Sequence, residues 1–199
     1  MRDTPASESF RAALDRTLRL SPYVARVAAA RPALVQELER ESSHPFGREQ
    51  MRACLHEEGE ALGVRLRRLR ERVMVRLAYR DLNGEASLDE VFATTTALAE
   101  ESIAVAASQA ERGAASLHGE REVGSGLVVM GLGKLGGCEL NVSSDVDLVF
   151  LYGESAQARE DKRASDSEFF SAAGRSLIAL LSDVTPEGYV FRVDMRLRP

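Results

Sequence analysis

Near residue 120 the hydrophobic spacing of the chain changes. Before that point apolar residues recur every three or four positions, as Phe10, Leu14 and Leu18 do, which places them on one face of a helix. After it they come in short blocks: Leu127-Val128-Val129-Met130, bounded by glycines, and Val146 to Tyr152. Blocks of that length, rich in β-branched residues, read as buried strands. A chain that switches period once cannot be all helical, and it does not alternate strand and helix regularly. The expected class is therefore α+β, with a helical N-terminal region over residues 1–120 and a sheet-containing core over residues 121–199.

The signals within each region are specific enough to place elements. Ser21-Pro22 reads as an N-cap followed by Pro at the first helical position, and a further helix follows Pro32 through Leu34, Val35 and Leu38. Residues 42–47 read as a loop. One helix is expected from Glu49 to Leu82, ended by Asn83-Gly84. Ser87-Leu88-Asp89-Glu90 has the form of a capping box. The helix it opens is expected to reach about Glu111, with Val91, Leu98, Ile103 and Val105 among its apolar positions and a polar connector from Gly113 to Gly126. In the second region, Ser165-Asp166-Ser167-Glu168 opens a helix through Phe170, Ile178 and Leu181. A third strand is expected from Gly188. Tyr189, Phe191, Val193, Met195 and Leu197 would share one face of it, and Arg192, Asp194, Arg196 and Arg198 the other.

Composition excludes several classes. Of 199 residues, 44% are apolar and 29% charged, which is ordinary for a globular protein and argues against wholesale disorder. No apolar run approaches the roughly 20 residues of a membrane span. Asp3, Glu8 and Asp15 interrupt the start of the chain, so a secretory signal is not expected and a cytoplasmic location is. A net charge of −5 disfavours nucleic acid as a partner. The two cysteines, Cys54 and Cys138, have no metal-ligand spacing. Lys134 and Lys162 are the only lysines, which draws attention to Lys134 in its glycine-rich setting.

Three chemistries compete for the segment from Gly131 to Tyr152. Gly131, Gly133 and Gly136 fit the G-x-G-x-x-G of dinucleotide-binding folds, with Glu154 near the place of the ribose-binding acid. However, only residues 137–144 are left for a crossover helix, and the next strand would bury two aspartates. A P-loop needs Ser or Thr after Gly-Lys, and Leu135 stands there. The third chemistry is metal-dependent nucleotidyl transfer. Asp145 and Asp147 lie two apart at the start of a strand, so both carboxylates point to one face. Two carboxylates held that close repel unless a cation lies between them, and hard oxygen ligands suit Mg²⁺ or Mn²⁺. Gly136-Gly137, Ser143 and Ser144 could hold phosphate oxygens. Asp194 would supply a third carboxylate if its strand pairs beside the others, and Arg196 and Arg198 share its face. Each element alone is more often a turn, a solvated strand end or an ordinary ion pair; together and in this order they are far more specific.

The run GLGKLGGCELNVSSDVDLVFLY over 131–152 resembles the signature of the bifunctional glutamine synthetase adenylyltransferase/adenylyl-removing enzymes. VFRVDMRLRP at 190–199 resembles a further block of that family. So do SPYVARVAAARPALVQEL at 21–38 and LRRLRERVMVRLAYRDLNGEASLDEV at 66–91. The resemblance implies a DNA polymerase beta-like nucleotidyltransferase core, a small mixed sheet with flanking helices, behind a helical preamble. It implies a longer protein in two halves: a C-terminal half that transfers AMP from ATP to a tyrosine of glutamine synthetase, and an N-terminal half that removes it by phosphorolysis as ADP. Glu139 to Asp145 resembles the N-terminal half, whose counterpart carries Gly-Tyr-Gly before Ser-Asp. On that likeness the chain is expected to be the removing core, incomplete at its C-terminus. Adenylylation at this same site and a non-catalytic interaction module stand as alternatives. The implied roles are metal ligation by Asp145, Asp147 and Asp194, and phosphate binding by Lys134, Gly136, Gly137, Ser143, Ser144, Arg196 and Arg198. The implied partners are glutamine synthetase and, through other parts of the longer protein, the PII signal protein. Cys138 stands where the family often has a basic residue, and Gly137 where the wider superfamily commonly has Ser. Beyond the motif, Arg65, Arg68, Arg72 and Arg76 are expected to form a solvated helix face. His44, His56 and His118 are expected at the surface. Asn141 could orient Asp145 or cap a short helix.

Overall fold

The computed structural model describes residues 5–120, 126–153 and 166–195. Among the described residues six helices precede the sheet: α1 (Pro5–Leu20), α2 (Pro22–Ala30), α3 (Pro32–Glu41), α4 (Arg48–His56), α5 (Leu62–Leu82) and α6 (Leu88–His118). Then come β1 (Val128–Leu132), the single turn α7 (Gly133–Gly136), β2 (Val146–Leu151), α8 (Asp166–Ser182) and β3 (Val193–Asp194). The α+β class is thus realised as a helical layer against a small sheet.

The caps act where the sequence put them. The Ser21 hydroxyl accepts from the Val24 N–H at 3.2 Å, and Ser87 accepts from Glu90 N–H at 3.2 Å. Each satisfies a backbone donor that the first helical turn leaves without a partner.

Three expectations are corrected. The helix expected from Glu49 to Leu82 is two, α4 and α5, separated by residues 57–61. Gly59 adopts a φ of 102° there, and Glu57, Glu58 and Glu60 would crowd like charges on a continuous helix. The helix opened at Ser87 runs on to His118 rather than ending near Glu111. Gly113 sits inside it, and burial of Ala106, Ala110 and Ala114 outweighs the roughly 1 kcal/mol that an interior glycine costs. The third strand is short. Residues 185–188 form a tight turn, and the N–H groups of Val190 and Phe191 both donate to the Leu181 carbonyl. Val190 and Phe191 are therefore both buried, and strand pairing begins only at Val193.

Helices and sheet share one core. Leu66, Leu69 and Val73 of α5, Leu98 and Ala106 of α6, Val146 and Leu148 of β2, and Phe170 and Leu177 of α8 belong to one buried cluster. A second cluster unites α1, α2 and α3 with Val75 and Tyr79 of α5. Because α5 is packed on both sides, its arginine stripe is not the solvated face expected: its members are bonded to protein acceptors, and Arg68 stays half-exposed. Arg76 is 97% covered and donates to Glu37 and Glu41 of α3 at 3.1 and 2.6 Å. Arg72 pairs with Glu37, Arg68 with Glu60, and Arg65 donates to the Leu55 and Glu57 carbonyls. Long side chains let α5 reach acceptors across two layers, which a pattern of apolar positions alone does not register.

Candidate functional site at the end of the sheet

β1 and β2 pair antiparallel, with Leu132 opposite Asp147. That geometry excludes the dinucleotide fold, which needs a parallel β-helix-β unit. The glycines serve the tight turn instead. Gly133 has a φ of 54°, and a Cβ there would lie 2.5 Å from Oδ2 of Asp147. A Cβ on Gly136 would lie 2.7 Å from the Gly131 carbonyl oxygen. Any side chain at 133 would therefore collide with the Asp147 carboxylate, so the glycine makes room for an acidic group at the strand's start.

β2 and β3 pair parallel, with Val146 beside Val193 and Asp147 beside Asp194. Register partners in adjacent strands share a face, so Asp147 and Asp194 stand side by side on the face opposite the buried Val146 and Leu148. Asp145 lies one residue before β2. Its Oδ1 is 2.5 Å from Nε of Arg192, and a terminal nitrogen of Arg192 donates to the Ser143 carbonyl at 3.3 Å. The ion pair raises the already high pKa of Arg192 through its hydrogen bond to Asp145. Among the described residues, no three acidic, histidine or cysteine side chains are gathered closely enough to hold a metal ion.

The phosphate-binding candidates fall on the two flanking turns. Lys134 and Gly136 are exposed on α7, and Gly137, just past it, is exposed too. The Gly137 N–H is already committed to the Gly133 carbonyl at 3.0 Å. Ser143 and Ser144 belong to a turn organised by Asn141, whose Oδ1 accepts from the Ser144 hydroxyl at 2.9 Å and from the Ser143 N–H at 3.1 Å. Asn141 thus neither caps α7 nor contacts Asp145; it fixes the two serines immediately before the first aspartate. Arg196 and Arg198 lie outside the described residues, as does Glu154.

Two residues at this end escaped the sequence reading. Arg192 shares Asp194's face in the strand pattern, and a cation two residues before an acid on one face is the signal that marks it. Gly133 was seen as part of a fingerprint, and only the antiparallel pairing shows that its purpose is space for Asp147.

A family profile described as glutamate-ammonia ligase adenylyltransferase matches residues 12–199. The chain is 44% identical over 203 residues to a bifunctional glutamine synthetase adenylyltransferase/adenylyl-removing enzyme of Chromobacterium violaceum, covering 98% of this chain and 22% of that one. It is 45% identical to the protein of the same name in Nitrosomonas eutropha, over 98% of this chain and 23% of that one. With the Thioalkalivibrio sulfidiphilus protein it shares 42%, over 100% and 22%. The chain thus spans less than a quarter of the length of the curated relatives it matches. Among the described residues no helix is long and apolar enough to cross a membrane. On the match over 12–199 and the identities above 40%, the chain belongs to the glutamate-ammonia ligase adenylyltransferase family.

Proposed function

We propose that this chain carries the nucleotidyltransferase site that removes AMP from an adenylylated tyrosine of glutamine synthetase by phosphorolysis, in the cytoplasm. The observation that carries the reading is the placement of Asp147 beside Asp194, with Asp145 at the same strand end. The relatives' names pair adenylylation with adenylyl removal. The likeness of Glu139 to Asp145 to the N-terminal half favours removal.

The donor set suits a hard divalent cation in kind. Carboxylate oxygens are its preferred ligands, Gly133 leaves room for Oδ2 of Asp147, and Asp145 already holds a cationic group, the guanidinium of Arg192. Asp145, Asp147 and Asp194 would hold Mg²⁺ or Mn²⁺ only once drawn together around it, with Asp145 exchanging Arg192 for the ion. Such an ion, when bound, neutralises charge on the entering and leaving oxygens. Inorganic phosphate would attack the adenylyl phosphorus as the tyrosine oxygen leaves, giving ADP and free tyrosine. An anionic nucleophile gives general-base catalysis little to do. Lys134, Gly136, Gly137, Ser143, Ser144, Arg196 and Arg198 would orient the phosphates. Binding of ATP and contact with a PII protein belong, on this reading, to the longer protein.

In the full-length enzyme, Asp145→Asn should cut phosphate-dependent release of ADP by on the order of a thousandfold while sparing ATP-dependent adenylylation. The measurement is radiolabelled AMP leaving the modified tyrosine, at matched thermal stability. Loss of adenylylation with phosphorolysis intact would reverse the assignment of direction. No change in either activity would remove the site.

A further inference from the structure

We propose that the cavity between α2, α5 and the turn before β3 is a binding site for a small phosphate monoester, separate from the carboxylate site. Its volume is about 310 Å³, and it shares no lining residue with the end of the sheet that holds Asp147 and Asp194. Its walls carry Tyr23 and Arg26 of α2, Arg67, Arg70 and Glu71 of α5, and Glu187 and Tyr189 of the turn.

The charge accounting points to an anion. Most α5 arginines are matched: Arg72, Arg76 and Arg80 by carboxylates, Arg65 and Arg67 by backbone carbonyls. Arg70 is the exception. Its polar contact is a long one, 3.5 Å to the Tyr23 hydroxyl, and, unlike Arg65 and Arg68, whose Nε atoms also lack partners, it has no carbonyl or carboxylate of a described residue at its terminal nitrogens. Arg70 lies 5.8 Å from the Tyr23 ring centroid and 5.1 Å from that of Tyr189, and Arg26 lies 5.6 Å from Tyr23. Neither Arg26 nor Arg70 forms an ion pair with any described residue. The carboxylates on the wall are engaged already. Glu71 lies 2.5 Å from Arg31 in an ion pair that leaves its Oε2 without a well-formed hydrogen bond, and burial raises its carboxyl, which lessens its charge toward an anion. Glu187 accepts from the Thr185 hydroxyl at 3.0 Å, which holds its carboxyl below the usual range. Two guanidinium forks are thus left facing one cavity.

A phosphate monoester is close to a dianion at pH 7 and offers three acceptor oxygens, so it matches two forks. A monocarboxylate, with one charge and two acceptor oxygens, would match one fork and leave the other without an acceptor. The tyrosine rings, held against the arginines, leave a flat apolar surface for a ring attached to the phosphate. The cavity is also built rather than incidental. Arg67, 97% covered, fixes the opposite wall by donating to the carbonyls of Gly63, Leu180, Asp183 and Gly188.

Phenyl phosphate titrated into the 199-residue chain in phosphate-free buffer, read by calorimetry, tests the site. The chain has no tryptophan, and Tyr23 and Tyr189 are two of its four tyrosines, so intrinsic fluorescence gives a second readout. Saturable binding is expected, with benzoate at least about tenfold weaker. Arg70→Gln should weaken phenyl phosphate by at least about tenfold and Arg26→Gln by several-fold, while Arg192→Gln leaves it unchanged. Should Arg70→Gln fail to fold, the exposed Arg26 carries the test alone. The proposal is overturned by absence of saturation up to about 10 mM, by wild-type affinity in the folded Arg26 and Arg70 variants, or by loss of binding in Arg192→Gln instead.

Discussion

The two regions of this protein treat charge in opposite ways. In the helical region it is turned inward: Arg76 and Arg80 are buried and bridge α5 to α3 and to Glu90 of α6. At the end of the sheet it is turned outward, where Asp145 and Arg192 pair at 48% and 62% exposure. A buried pair is costly to break because the remaining partner is stranded away from water. An exposed pair is held weakly and can be exchanged for a ligand. The helical region therefore uses charge to fix architecture, and the sheet region presents it for chemistry.

The comparison requires that both regions stand on one core. Leu98 of α6 is fully buried in the cluster that also contains Val146, Leu148 and Phe170. Leu98→Ala should cost about 2–5 kcal/mol and lower one common unfolding transition. Calorimetry showing two transitions, with only the helical one displaced, would split the protein into independent units.

The next effect tests the inward charges. Arg76→Ala leaves Glu37, 15% exposed, with Arg72 as its remaining arginine, takes the guanidinium away from the partly exposed Glu41, and removes a cation lying 4.5 Å from the Phe46 ring centroid. Roughly 2–4 kcal/mol should be lost, and adding Glu37→Gln should recover part of it. Chemical denaturation of the two single variants and the double variant measures this. A loss no larger than that of an exposed arginine would show that the inward pairs are not structural.

How far these contrasts could be read from residues alone differs by region. The helix starts were legible because caps are local: Ser21 and Ser87 act on N–H groups three residues ahead. Breaks are less legible: Gly59 lies in the gap after α4 and Gly113 inside α6, and burial of the alanines around Gly113 keeps that helix going. The arginine stripe of α5 is not legible as a paired face, because Arg72 and Arg76 find their glutamates 35 or more residues away in α3, while Arg65 and Arg68 turn to the segment before α5. At the site, strand parity puts Asp145 and Asp147 on one face in the sequence, and the structure sets Asp147 in register with Asp194 while Asp145, just before β2, pairs with Arg192. The ion pair of Arg192 with Asp145 depends on β3 running parallel to β2, which no local pattern encodes.

A smaller effect follows from Glu101 of α6, which accepts hydrogen bonds from Arg52 and Arg48 of α4. The bond from Arg52, and then that from Arg48 against the opposing cost of burial, hold its carboxyl below the usual range. A depressed carboxylate pKa adds stability that is complete above the unfolded value, near 4.3, and is lost as the pH falls through the folded value. Glu101→Gln should therefore be less stable at neutral pH and show a shallower decline on the acid side. Thermal unfolding between about pH 3 and 7 checks this, and parallel profiles would remove Glu101 from the acid limb.

The smallest stability effect, and the sharpest contrast with Arg76, belongs to Arg192. Its guanidinium is mostly solvated and its partner half-exposed, so Arg192→Gln should leave the unfolding midpoint where it was. Its consequence should appear in cation binding instead. The Asp145 oxygen that Arg192 holds is one that a divalent ion at the proposed site would use, so the guanidinium competes for it. Removing the competitor should tighten Mn²⁺ binding to the chain several-fold, read by electron paramagnetic resonance as loss of the free-ion signal. Asp145→Asn should weaken the same binding, and combining the two should leave no gain from Arg192→Gln, because both act on one oxygen. Weaker Mn²⁺ binding in Arg192→Gln would mean that the arginine organises the aspartate rather than occupying it. A lowered midpoint would mean that the outward charges also hold the fold, and the contrast between the regions would then fail.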